Sequence, residues 1–154
     1  GNVVAELHLQ GIGKLIIVNG HGGNSFKNMI RDLSVDFPDF LIAITNWYGI
    51  VPQEGYFENK DDHAGELETS VMMYYHPELV NLEEAGEGAS KPFALSSLNA
   101  QIAWLPRYWS KVSADTGIGD PRKSTPEKGE RYAKAVIEKL ALLFTEIGSK
   151  EVYL

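Results

Sequence analysis

Two short apolar runs, Leu15 to Val18 and Phe40 to Thr45, flank a helical pattern and restrict the fold of this chain more than any other feature. Leu15 to Val18 is compact and β-branched, which reads as a strand buried on both faces. Between the runs, Phe26, Met29, Ile30, Leu33 and Phe37 recur at spacings of three and four, so Ser25 to Phe37 reads as an amphipathic helix closed by Pro38. Strand, helix and strand make a βαβ unit, whose crossover is right-handed and whose two strands are parallel. The fold class is therefore α/β, built on a parallel sheet.

The remaining segments fit around that unit. Val3, Val4, Leu7 and Leu9 give Val3 to Gln10 a helical spacing that stops at Gly11, a residue suited to a left-handed helix end. Asn46 to Asp62 is rich in Gly, Pro, Tyr and charge without a sustained period, which predicts a long loop of the kind that carries function. A helix is expected from near His63 through Met72 and Tyr75 to about His76, before Pro77. The stretch from Ala85 to Ser97 is irregular. Thr125-Pro126-Glu127 opens a last helix with an N-cap and a proline at its first position, and Tyr132, Val136, Leu140 and Leu143 form its apolar face. At 154 residues, all of this fits a single domain, 1–154.

Composition removes several classes of function. A formal charge of -7 argues against a polyanion partner, because neutralising phosphates takes clustered Lys and Arg, so nucleic acid is not expected. No apolar run approaches the roughly 20 residues of a membrane span, and the first residues carry no signal-peptide pattern, so the expected compartment is the cytoplasm. The chain has no cysteine, so any metal must be held by His, Asp or Glu.

Two clusters carry the chemistry. Asn19-Gly20-His21-Gly22-Gly23-Asn24 follows the first strand, at the carboxyl edge where open α/β sheets bind ligands. Its glycines suit positive φ and close approach of a ligand, and a neutral imidazole is a common ligand for Zn or Mn; a turn in which His21 only caps the helix is the plainer alternative. Gly20-x-Gly22-Gly23 is a poor dinucleotide turn, since the third glycine is missing and the second strand ends in Thr45-Asn46 rather than an acid. The second cluster is Asp61-Asp62-His63-Ala64-Gly65-Glu66-Leu67-Glu68-Thr69-Ser70. On a helix, His63 and Glu66 share a face, and a carboxylate beside an imidazole, as Asp62 is beside His63, favours its protonated form and orients its proton. Alternatively, Asp61 or Asp62 caps the helix while Glu66 and Glu68 complement its positive end.

Taken together, these motifs resemble the creatininase (creatinine amidohydrolase) family. Asn19 to Asn24 matches its NGHGGN, His63 to Ser70 matches HAGExETS, and Gly119-Asp120-Pro121 with Glu127-Lys128-Gly129 matches a third conserved stretch, in the same order and spacing. The similarity spans almost the whole chain, and the specificity lies in the combination.

The resemblance implies a three-layer α/β/α fold with a central, mainly parallel sheet, a homo-oligomer, often a hexamer, and two divalent ions, Zn or Mn. It implies hydrolysis of an amide-type C–N bond in a small-molecule substrate. His21 would be a metal ligand, and His63 would carry the proton from the attacking water to the leaving nitrogen, with Asp62 as its acidic neighbour. Creatininase itself has a glutamate ligand two residues after the loop histidine, where this chain has Gly23. Glu66, one helical turn from His63, is the expected substitute. Creatininase also has a tryptophan where this chain has Asn59, which argues against creatinine as the substrate. An N-terminal motif with the remaining ligands does not occur here, so a fragment lacking its N-terminal portion, inactive in isolation, is expected. A non-catalytic oligomerising or ligand-binding module of the same fold is the alternative. Trp47 and Tyr48 are candidate pocket walls, Trp104, Trp109 and His8 are expected to pack, His76 to end its helix, and Gly117 to Pro121 to form a turn.

Overall fold

The computed structural model describes residues 1–59 and 62–153, which group into two compact units, Gly1–Pro52 with Ala135–Leu154 and Gln53–Lys134. Asp61, one of the two expected helix caps, lies outside the described residues.

The first unit contains the βαβ arrangement. Helix α1 (Asn2–Leu9) ends at Gly11, whose φ of 78° is the left-handed conformation that glycine permits. Strand β1 (Lys14–Asn19), helix α2 (Lys27–Asp36) and strand β2 (Leu41–Asn46) follow. The strands pair in parallel from Lys14 opposite Leu41 to Asn19 opposite Asn46, which places the two asparagines side by side at the carboxyl edge. Val4, Leu33 and Phe40 are buried together, with Leu7, Leu15, Phe37 and Ile42 packed against them. His8 meets the rings of Phe37 and Phe40 edge-on at 5.7 and 6.2 Å, the packing role expected of it. One expectation fails: β1 is half-buried, with Val18 44% exposed, instead of covered on both faces. Among the described residues this sheet has two strands, so the apolar run is legible before its cover is.

The second unit contains helix α3 (Glu66–Tyr75), the short helices α4 (Ser96–Asn99) and α5 (Trp109–Val112), and the first turns of helix α6 (Pro126–Ser149). Helix α6 begins as expected, with the Lys128 N–H donating to the Thr125 hydroxyl at 3.2 Å. Tyr132 is fully buried, its ring 5.4 Å from Tyr56 and 5.2 Å from Phe57. Helix α3 ends at His76, as expected, where the ring meets Glu78 at 3.1 Å.

The start of α3 corrects the sequence reading. His63 is not helical; its N–H and C=O form an antiparallel bridge with Ile118 at 2.9 and 2.8 Å. Ala64 takes a left-handed φ of 52° and Gly65 is extended, so the helix starts only at Glu66. The argument that His63 and Glu66 share a helix face therefore falls. Trp104 is a second correction: it is 85% exposed and does not pack. Among the described residues, no helix is long and apolar enough to cross a membrane.

A close backbone approach in this unit explains a glycine. A Cβ on Gly129 would stand 1.9 Å from the backbone oxygen of Ser70, so α6 can lie against α3 only where a side chain is missing. Gly129→Ala should therefore lower stability by about 2 kcal/mol or more in thermal or denaturant unfolding. Gly148→Ala, on the same helix with nothing within 4 Å, should be neutral or stabilising by up to about 1 kcal/mol. Equal effects at the two positions would contradict this packing.

Candidate functional site

The loop after β1 is organised by one buried amide. Asn19 is 3% exposed, and its side chain satisfies four partners. Its Nδ2 donates to the His21 carbonyl at 2.9 Å and to Asn46 Oδ1 at 2.8 Å, while its Oδ1 accepts from the His21 N–H at 3.3 Å and from Asn24 Nδ2 at 2.9 Å. The loop is thus clipped to the end of β2, and His21 is held at the sheet's carboxyl edge with its side chain exposed. Trp47 Nε1 donates to the Gly20 carbonyl at 3.2 Å, and Tyr48 lies 3.6 Å from where a Gly22 side chain would begin, so both aromatics border the loop.

The glycines do a different job from the one expected. Gly20, Gly22 and Gly23 do not adopt positive φ. Gly23 instead makes room: a Cβ there would lie 3.0 Å from the His21 ring. Its N–H donates to His21 Nδ1 at 3.0 Å, which places the ring's lone pair on that nitrogen.

The second motif is moulded by the third. Glu66 is fully buried; its Oε2 accepts the N–H groups of Glu58 and Asn59 at 3.0 and 2.7 Å, and its Oε1 meets Lys128 Nζ at 2.5 Å. Lys128 also reaches Glu58 at 3.2 Å and the Lys123 carbonyl at 2.8 Å. The Ser124 hydroxyl donates to the Glu66 carbonyl at 3.2 Å, and the Thr125 N–H donates to the Ser70 hydroxyl at 3.2 Å. Glu68 turns back to accept the Ala64 N–H at 2.7 Å, closing the helix start that no side-chain N-cap closes. Asn59 is pinned a second time, by Nδ2 on the Asp120 carbonyl at 3.3 Å, and Arg122 holds the Asp120 carboxyl down at about 2.

Asp62 does not serve His63 directly. Both its oxygens are taken by Arg107, at 2.8 and 2.5 Å, and the Arg107 guanidinium lies 5.5 Å from the centre of the Trp109 ring. That ring is 4.9 Å from the His63 ring. Arg107 escaped the sequence reading, since nothing local distinguishes it 45 residues from its partner.

A divalent ion needs donors with lone pairs to offer. His21 fits by residue type and exposure, and its Nδ1 lone pair becomes available to an ion once the Gly23 N–H releases it. Glu66 does not fit, because its Oε1 already meets the Lys128 ammonium and two amides occupy its Oε2. Among the described residues, no group of three or more His, Asp or Glu side chains is gathered as a metal site.

Glu66 and Lys128 instead read as a buried ion pair, and breaking one side of such a pair is costly. Lys128→Met should lower stability by about 3 kcal/mol, measured by denaturant unfolding. The pair also gives a pH signature. The carboxylate of Glu66, and then that of Glu58, holds the Lys128 pKa above its ordinary 10.5 against the opposing pull of burial. The stabilisation is therefore whole below that value and lost as pH rises through the folded pKa. Burial pushes the Tyr132 hydroxyl up to about 12, which favours the unfolded chain over the same alkaline range. Alkaline unfolding should thus be shallower in Lys128→Met but not abolished; an unchanged slope would contradict the pairing.

Comparison with known proteins gives a consistent result. The family profile described as creatininase, creatinine amidohydrolase, matches residues 1–144. The mycofactocin precursor peptide peptidase of Mycobacterium ulcerans (strain Agy99) is 30% identical over 129 residues, and the creatinine amidohydrolase of Pseudomonas putida is 22% identical over 156. These alignments take in 81% and 91% of this chain but only 45% and 58% of the relatives, so the chain spans about half their length. A crystal structure from Bacteroides fragilis NCTC 9343, assigned as a creatinine amidohydrolase, superposes with a TM-score of 0.95 at 60% identity, over 99% of this chain and 61% of that one. A creatininase in a Zn-Zn form and another in a Mn form share the fold, with TM-scores of 0.72 and 0.69 at 22% and 20% identity, over 93% of this chain and 59% and 60% of theirs.

Proposed function

The chain belongs to the creatininase family, and from that premise we propose that it is part of a metal-dependent amidohydrolase acting on a non-peptide or cyclic amide in a small, nitrogen-rich substrate. The observation that carries this reading is the setting of His63. Its backbone is locked to Ile118, and its half-buried ring rests against Trp109 beside the Asp62–Arg107 pair. A general acid/base must be fixed in place yet reachable, and this residue is both.

Hydrolysis joins water to the carbonyl carbon and breaks the C–N bond. His63 carries the water's proton to the leaving nitrogen, so imidazole ends the cycle as it began. His21 would hold metal at the sheet's carboxyl edge, and Zn or Mn, two ions in this reading, would supply acidification of water and polarisation of the carbonyl. Further ligands would come from parts of the protein beyond these 154 residues. The whole would be a single three-layer α/β/α domain whose central parallel sheet includes β1 and β2, assembled as a homo-oligomer of hexameric type. The non-catalytic module is the second reading, favoured by the engagement of Glu66 with Lys128.

In the full-length protein, His63→Ala should reduce cleavage of the preferred amide by about 100-fold or more with folding intact, across a panel that includes cyclic amides and peptide amides. Glu66→Ala should lose stability while keeping its full metal content by elemental analysis. Undiminished turnover in His63→Ala would remove its proposed role, and loss of an ion from Glu66→Ala would restore that residue as a ligand.

A further inference from the structure

The Asp62–Arg107–Trp109–His63 cluster has a use that the family motifs do not supply. Asp62 and His63 are consecutive, and Arg107 and Trp109 are two apart on a separate segment entering α5, so the two pairs face each other. The guanidinium binds both Asp62 oxygens in the fork geometry that only arginine offers, and it is braced by the Trp109 ring. That same ring packs against the His63 ring, at 4.9 Å and tilted by 52°. Among the described residues, other charged groups nearby are engaged: Glu68 takes the Ala64 N–H, Asp120 pairs with Arg122, and Lys111 lies over Tyr108.

We propose that Arg107 and Trp109 are positioning residues for the proton carrier: Arg107 ties Asp62 to the second segment, and Trp109, held by the same guanidinium, fixes the plane of the His63 imidazole. Asp62 thus serves as the anchor of a clamp and not as the direct partner of His63. The side chains of Arg107 and Asp62 are 39% and 46% exposed, so the clamp is a surface latch whose value lies in orientation. A proton carrier displaced by a fraction of an ångström loses much of its effect, which gives such a latch a catalytic consequence without touching substrate. The inference rests on the proposed role of His63, but its test does not require turnover.

The test is the offset that the Trp109 ring current imposes on the His63 ring resonances, read by ¹H–¹³C NMR. Trp109→Leu assigns that offset by removing it. Arg107→Ala and Asp62→Asn should each collapse most of it, and the double variant should lose no more than either alone, because both substitutions open the same latch. Backbone spectra that keep their dispersion confirm folding, and Asp62→Asn, nearly isosteric, serves where Arg107→Ala fails to fold. Wild-type offsets in the single variants, or losses that add in the double variant, would overturn the clamp. If the offsets collapse together while no amide is ever cleaved, the clamp stands and the hydrolase reading falls. If amides are cleaved while the offsets stay put, the clamp alone falls.

Discussion

A carboxylate with no access to water must be surrounded by donors, and in the Gln53–Lys134 unit that requirement at Glu66 sets the positions of its neighbours. Two amides from the 58–59 segment and the Lys128 ammonium are fixed by it, and through them the approach of the 53–59 loop and the start of α6. The Ser124, Thr125 and Gly129 contacts complete the same seam on α3. A buried pair of this kind gains little over a well-packed apolar substitute. What it does in this unit is join three segments, because the donors to one carboxylate come from the 58–59 segment and from α6 while the carboxylate itself is on α3.

The other unit meets an equivalent requirement with an uncharged group. Asn19 carries both a donor pair and an acceptor, so one buried side chain can satisfy the loop on one side and β2 on the other. A charged residue there would need a counter-ion, and an apolar one would leave the turn's polar groups unanswered. The outcome is a hydrogen-bonded loop with an exposed imidazole, in which the glycine at 23 gives space to the His21 ring.

Elements whose causes are local were legible in the sequence. The period of α2, the two apolar strand runs, the left-handed turn at Gly11 and the Thr125-Pro126 start of α6 all lie where residue chemistry alone puts them. What escaped depends on partners distant in the chain. Glu66 looks like a helix-start acid or a ligand until Lys128 is seen 62 residues away, and Asp62 looks like the partner of His63 until Arg107 is seen. The start of α3 was misplaced for a related reason: Ala64 is a good helix former, and its left-handed turn directly follows the His63–Ile118 bridge, which no local pattern announces.

The three motifs therefore divide by physical task as well as by sequence. In the third, Lys128 supplies a charge and Gly129 supplies space, both toward α3. In the second, the residues on the helix, Glu66 and Ser70, face that seam, while those before it, Asp62 and His63, face the 107–109 segment. A single break at Ala64 and Gly65 thus separates the half of the motif that faces α6 from the half that faces the 107–109 segment. That division also accounts for why a buried glutamate three residues from a histidine is a poor guide to a metal: burial that complete demands a cation of its own, and here the chain already provides it.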